Sequence, residues 1–114
     1  MNKMTRAIIE ILDDVDCVIT PDGEAWFSAD GEDYINPDFR LSLPLAKLLQ
    51  ARMRQDGWKI TVTDCDSGFY ANAYRENKSG CSEHFIAPSI GYSKTEPAAL
   101  FDLFCKVYGI TYEN

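Results

Sequence analysis

Along residues 58–75, WKITVTDCDSGFYANAYR, apolar and polar positions alternate with a period of two. Trp58, Ile60 and Val62 fall on one side of an extended chain and Lys59, Thr61 and Thr63 on the other, as a strand covered on one face requires. An Asp-Ser-Gly turn at 66–68 then predicts a returning strand over Phe69–Arg75. Of its two faces, Phe69, Ala71 and Ala73 are assigned inward, because alanines let a helix approach closely.

The period changes to that of a helix on both sides of this hairpin. Leu45, Leu48, Leu49, Arg52 and Met53 predict a helix near 44–56, with Ser42 as N-cap, Pro44 in the first turn and Gly57 as its end. Phe101, Phe104, Cys105 and Tyr108 predict another near 96–108, capped by Thr95 and stopped by Gly109. Ile8, Ile9 and Leu12 predict a short helix over 4–12. Val15–Thr20 and Ala25–Ala29 read as short strands around Pro21-Asp22-Gly23, the second ending at the turn dipeptide Asp30-Gly31. Tyr34–Phe39 reads as a connector, Glu83–Ala87 as a third strand beside the hairpin, and Ser89–Ser93 as irregular.

These elements predict an α+β fold: one antiparallel sheet around hairpin 58–75, packed by the helices near 44–56 and 96–108. With 114 residues the chain is expected to form a single domain, 1–114, with its own core. Hydrophobic residues at 46% and charged residues at 25% are globular averages, and no apolar run approaches the roughly 20 residues that span a bilayer. The N-terminal patch holds Glu10 and lacks a small-residue cleavage site, so a cytoplasmic protein without membrane contact is expected. In that compartment Cys17, Cys65, Cys81 and Cys105, widely and irregularly spaced, read as reduced and mostly packed thiols.

Charge changes the picture most. The net charge is −7, and between Glu10 and Asp38 lie ten acidic residues and no Lys or Arg, whereas from Arg40 onward nine basic residues face eight acidic ones. Phosphate neutralisation by cations supplies most nucleic-acid affinity, so direct nucleic-acid binding is disfavoured. A run of carboxylates without counter-charge instead speeds encounter with a cationic partner, besides keeping a small protein soluble. Asp13, Asp14, Asp16, Asp22, Glu24, Asp30, Glu32 and Asp33 are the candidate partner-binding residues.

Chemistry-bearing clusters are sparse. His84 with Cys81 and Cys65, completed by Asp64 or Asp66, has zinc-ligand residue types but not the paired cysteine spacing of structural zinc sites. The same thiols have no nucleophile signature around His84. Residues 64–68, DCDSG, lack the third acidic position and distal Glu of a calcium loop, and Asp64, Asp66 and Glu83 as paired carboxylates compete with an ordinary turn composition. No metal, cofactor or catalytic residue is therefore assigned, and the chain is not expected to be an enzyme. Trp26, Phe27, Tyr34, Tyr70 and Tyr74 offer a different class of function, an aromatic pocket that stacks on a small nucleotide-like ligand.

The order of parts resembles a family of small bacteriophage and prophage domains, the phage α/β/α sandwich. The likeness covers roughly Tyr34 to Tyr108 and is carried by Tyr34-Ile35-Asn36-Pro37-Asp38-Phe39, Gly57-Trp58 and Thr95-Glu96-Pro97-Ala98-Ala99. It departs in the terminal helix, LFDLFCKVYG, where the family prefers small residues. The resemblance implies a phage origin and helices on both faces of a sheet, whereas the one-sided alternation of Trp58–Thr63 predicts two layers. Joined to the acidic segment, it leads to the expectation of a phage accessory protein that binds a basic host protein, such as a nucleic-acid-handling component of a defence system. A phage structural or assembly protein, including a homo-oligomer, is compatible with the same pattern.

Overall fold

The computed structural model describes residues 3–12, 16–29, 31–35 and 37–110. The chain divides into two compact units, one up to Asp38 and the other Phe39–Ile110. The described residues form three helices and two antiparallel three-stranded sheets, a small α+β protein as the two periodicities predict. No helix among them is long and apolar enough to cross a membrane.

In the first unit, α1 (Lys3–Leu12) buries Ile8 and Leu12, one helical turn apart, and exposes Arg6 and Glu10. Three strands then run as a meander: β1 (Asp16–Ile19), β2 (Ala25–Ala29) and β3 (Glu32–Ile35). Val15, expected in β1, lies outside the described residues. β3 corrects the reading of Tyr34–Phe39 as wholly connector. Its sequence EDYI has no period of two, so no side-chain pattern announces a strand. A turn after Ala29 nevertheless folds it onto β2, pairing Ala29 with Glu32 and Trp26 with Ile35, and backbone hydrogen bonding makes the strand.

The second unit is built on the central hairpin, β4 (Lys59–Cys65) and β5 (Gly68–Glu76), joined by β6 (Ser82–Ala87). α2 (Leu43–Gln55) starts where the Ser42 hydroxyl accepts from the Leu45 N–H at 3.5 Å, and α3 (Glu96–Tyr108) where the Thr95 hydroxyl accepts from Ala98 at 3.3 Å. Gly109 closes α3 in the left-handed region, φ 69°. α2 and α3 pack on each other, and α3 lies across all three strands. Ala71, Ala73 and Ala87 are fully buried beneath it, so the small side chains of the sheet make room for Leu100, Leu103 and Phe104.

Both helices cover the same face. Arg75, on the Ala71/Ala73 side of β5, donates to the Asp56 carbonyl at the end of α2 at 3.1 Å, pairs with Glu83 at 3.3 Å and stacks 4.3 Å from the Trp58 ring centre. The guanidinium thus joins helix, sheet and aromatic, its charge suiting the negative end of α2. This unit has the two layers that the alternation of Trp58–Thr63 predicts, without the second helical layer that the resemblance implies. The irregular segment after β6 is anchored at Ser93, which exchanges two 2.8 Å backbone hydrogen bonds with Phe69.

Candidate partner-binding face

The face is set by two turns of the first sheet. In the first, Gly23 N–H donates to the Thr20 carbonyl and Thr20 N–H to the Glu24 carbonyl, both at 2.9 Å, with Pro21 in the turn and Gly23 at φ 86°. This closure pairs Ile19 with Ala25 and Val18 with Trp26. The second turn pairs Trp26 with Ile35.

Cross-strand partners share a face, so Val18, Trp26 and Ile35 form one row over three strands. All three point outward, 64%, 46% and 54% exposed. The opposite face holds buried Phe27, whose ring lies 6.2 Å from that of Tyr34. Polar groups border the outer row. The Trp26 indole N–H donates to Glu24 Oε2 at 3.3 Å, and on the next row Ser28 donates to Asp33 Oδ1 at 2.5 Å.

Of the acidic residues singled out in the sequence, Asp22, Glu24, Glu32 and Asp33 are exposed in this unit. Asp16 opens β1 at the register position beside Ser28, while Asp13, Asp14 and Asp30 lie outside the described residues. Glu32 accepts from the Tyr34 hydroxyl at 2.9 Å, on the face opposite Asp33. Among the described residues none of these four carboxylates has an ion-pair partner; the three ion pairs, Lys47–Glu96, Arg52–Asp56 and Arg75–Glu83, belong to the second unit. The hydrogen bonds of Glu24, Glu32 and Asp33 come from neutral donors, which leave their negative charge uncompensated.

The aromatic residues singled out in the sequence are distributed over both units. Phe27 and Trp26 are neighbours on one strand, so they face opposite sides of the sheet, one buried and one exposed. Tyr70 and Tyr74 belong to the second unit, on the β5 face opposite Ala71 and Ala73, and Tyr70 instead meets the Tyr92 ring at 6.1 Å.

The other sequence clusters are dispersed. No three His, Cys, Asp or Glu side chains among the described residues gather as metal ligands. Cys65 pairs in register with Gly68 and His84 with Tyr74, six residues apart along β5, roughly 20 Å. The same separation divides Asp64, opposite Phe69, from Glu83, opposite Arg75. Cys65, Cys81 and Cys105 are free, but the expectation of mostly packed thiols is corrected for Cys81, which is exposed in the loop before β6.

Three groups in the second unit have displaced pKa values, each through burial first. Burial, with the Asp102 charge beside it and only partial relief from Arg40, pushes the Cys105 thiol up to about 12, so it is no thiolate nucleophile at neutral pH. Burial raises Asp102 against the opposing effects of Arg40 and the Ser93 hydroxyl, which donates to its Oδ2 at 3.3 Å. Tyr108 is raised by burial and by its hydrogen bond to Asp56. All three stand on α3, Cys105 buried and Asp102 and Tyr108 half-buried.

Comparison with protein-family models, with curated proteins and with solved structures finds no match to this chain.

Proposed function

We propose that this is a phage- or prophage-encoded accessory protein that binds a basic host protein through its acidic first unit. The single observation that carries the reading is the set of exposed carboxylates, Asp22, Glu24, Glu32 and Asp33, that have no ion-pair partner among the described residues. Their charge is held on β3 and on the turn between β1 and β2, so its field accelerates approach of a cationic surface and occupies Arg or Lys sites that otherwise take phosphates. Proteins that handle nucleic acids carry such sites, and the resemblance to phage domains makes a host defence component the partner of choice.

The test is retention of bacterial proteins by the immobilised chain at about 50 mM and about 500 mM salt, where screening differs several-fold in range. A basic protein is expected to be held at low salt and released at high salt. It is also expected to be lost when Asp22, Glu24, Glu32 and Asp33 are all changed to Lys. Retention that ignores both changes would remove the electrostatic reading.

A further inference from the structure

We propose that the Val18–Trp26–Ile35 row is the anchoring centre of this binding surface, and that its occupant is a protein patch with an aliphatic centre and a cationic rim. The inference rests on the acidic-surface reading and adds to it the residues that would hold the partner once encounter has occurred.

Three large apolar side chains in register on a solvent-facing sheet differ from scattered surface residues, which need no explanation. A protein interface of ordinary kind has an apolar centre, with tryptophan prominent among the residues that carry the energy, and a polar rim that excludes water. This face has that order. Trp26 is in the middle, Val18 and Ile35 flank it, and Glu24 and Asp33 stand at its border. The hydrogen bond from the indole to Glu24 also holds the ring in place before binding, which lowers the ordering cost of contact.

Charge complementarity selects the occupant. A second copy docked face to face on a twofold axis would bring Glu24 and Asp33 against carboxylates of the same sign. Nucleic acid and anionic membranes are repelled for the same reason. What remains is a protein surface whose aliphatic side chains cover the row while its Arg or Lys residues reach the carboxylates.

Two peptides of equal length and charge test this on the full chain, one alternating arginine with leucine, the other arginine with serine, titrated calorimetrically at about 50 mM salt. The arginine–leucine peptide is expected to bind at least about ten-fold more tightly. Trp26→Ala is expected to remove most of that preference, and Ile35→Thr a smaller part, with the circular dichroism spectrum of the folded chain retained in both and each urea midpoint lowered only slightly, because about half of each side chain is already exposed. Glu24→Lys with Asp33→Lys is expected to weaken both peptides together. Equal affinities for the two peptides, or a leucine preference that survives Trp26→Ala, would overturn the anchoring row and leave the electrostatic reading standing. Failure of both peptides to bind removes both readings. Self-association in sedimentation that Trp26→Ala abolishes would overturn the assigned occupant in favour of a second copy.

Discussion

The two sheets have the same plan, but the side chains on their outward faces differ in character. Each is an antiparallel meander of three strands, and each buries side chains on one side, Phe27 in the first, Ala71, Ala73 and Ala87 in the second. Across the outer face of the first runs Val18–Trp26–Ile35; a comparable row of the second is Thr61–Asn72–Ile86, with a single apolar member. Charge divides in the same way. Residues 1–38 carry two basic and ten acidic side chains, a net of −8, whereas residues 39–110 carry nine basic and seven acidic, a net of +2. In the second unit Glu83, Glu96 and Asp56 each meet a cation, while Asp22, Glu24, Glu32 and Asp33 of the first have no ion-pair partner among the described residues. Surface ion pairs contribute at most about 1 kcal/mol, so stability does not account for the contrast.

The largest effect expected from breaking this contrast lies in the second unit. Phe104→Ala removes a fully buried ring that touches the Tyr108 ring at 4.6 Å between centres, and should lower unfolding stability by about 3–5 kcal/mol in urea titration. A loss under about 1 kcal/mol would mean that α3 is not the inner layer described.

Next in size is Gly68→Ala. Gly68 sits at φ 136°, and a Cβ there would stand 2.4 Å from the Ser93 carbonyl oxygen. The cost should be about 1–3 kcal/mol, with loss of amide protection at Phe69 and Ser93, whose paired hydrogen bonds must part. Unchanged exchange at those amides would show that the segment after β6 is not held by this bridge.

The smallest effect sharpens the comparison, because Asp102 is a carboxylate of the second unit that burial disfavours. Its folded pKa lies above the ordinary value, so the fold favours the protonated form; that contribution is complete below the unfolded pKa and is lost as pH rises through the folded one. Asp102→Asn should therefore melt above the wild type at pH 7, the gap closing as pH falls below about 4. A gap that persists in acid would trace the gain to something other than ionisation.

Much of the second unit was legible in the chain. Ser42, Thr95, Pro44, Pro97 and Gly109 act locally on their own helix ends, so their meaning survives any tertiary context. The alternation at 58–63 and the alanines at 71 and 73 likewise named the covered face. What the helical spacing missed in α3 is that Ala99, Leu100 and Leu103 are buried as well as Phe101, Phe104 and Cys105. A helix wedged between another helix and a sheet buries more than one stripe, which periodicity alone does not reveal.

The candidate face was less legible although its ingredients were in view. The Asp30-Gly31 dipeptide suggests a two-residue turn, and such a turn sets Ala29 against Glu32 and hence Trp26 against Ile35. That inference needs β3, which EDYI does not announce, so the pairing of Trp26 with Ile35 is not visible in the sequence.

By itself, then, the sequence determined the fold class, the helix boundaries and the segregation of negative charge, because each depends on residues close together in the chain or on a simple count. Only the tertiary structure decided that Val18, Trp26 and Ile35 share one outward row and that Cys65 and His84 stand far apart. Both are consequences of strand register, which is fixed by turns and backbone pairing between distant residues rather than by any one strand's own side chains.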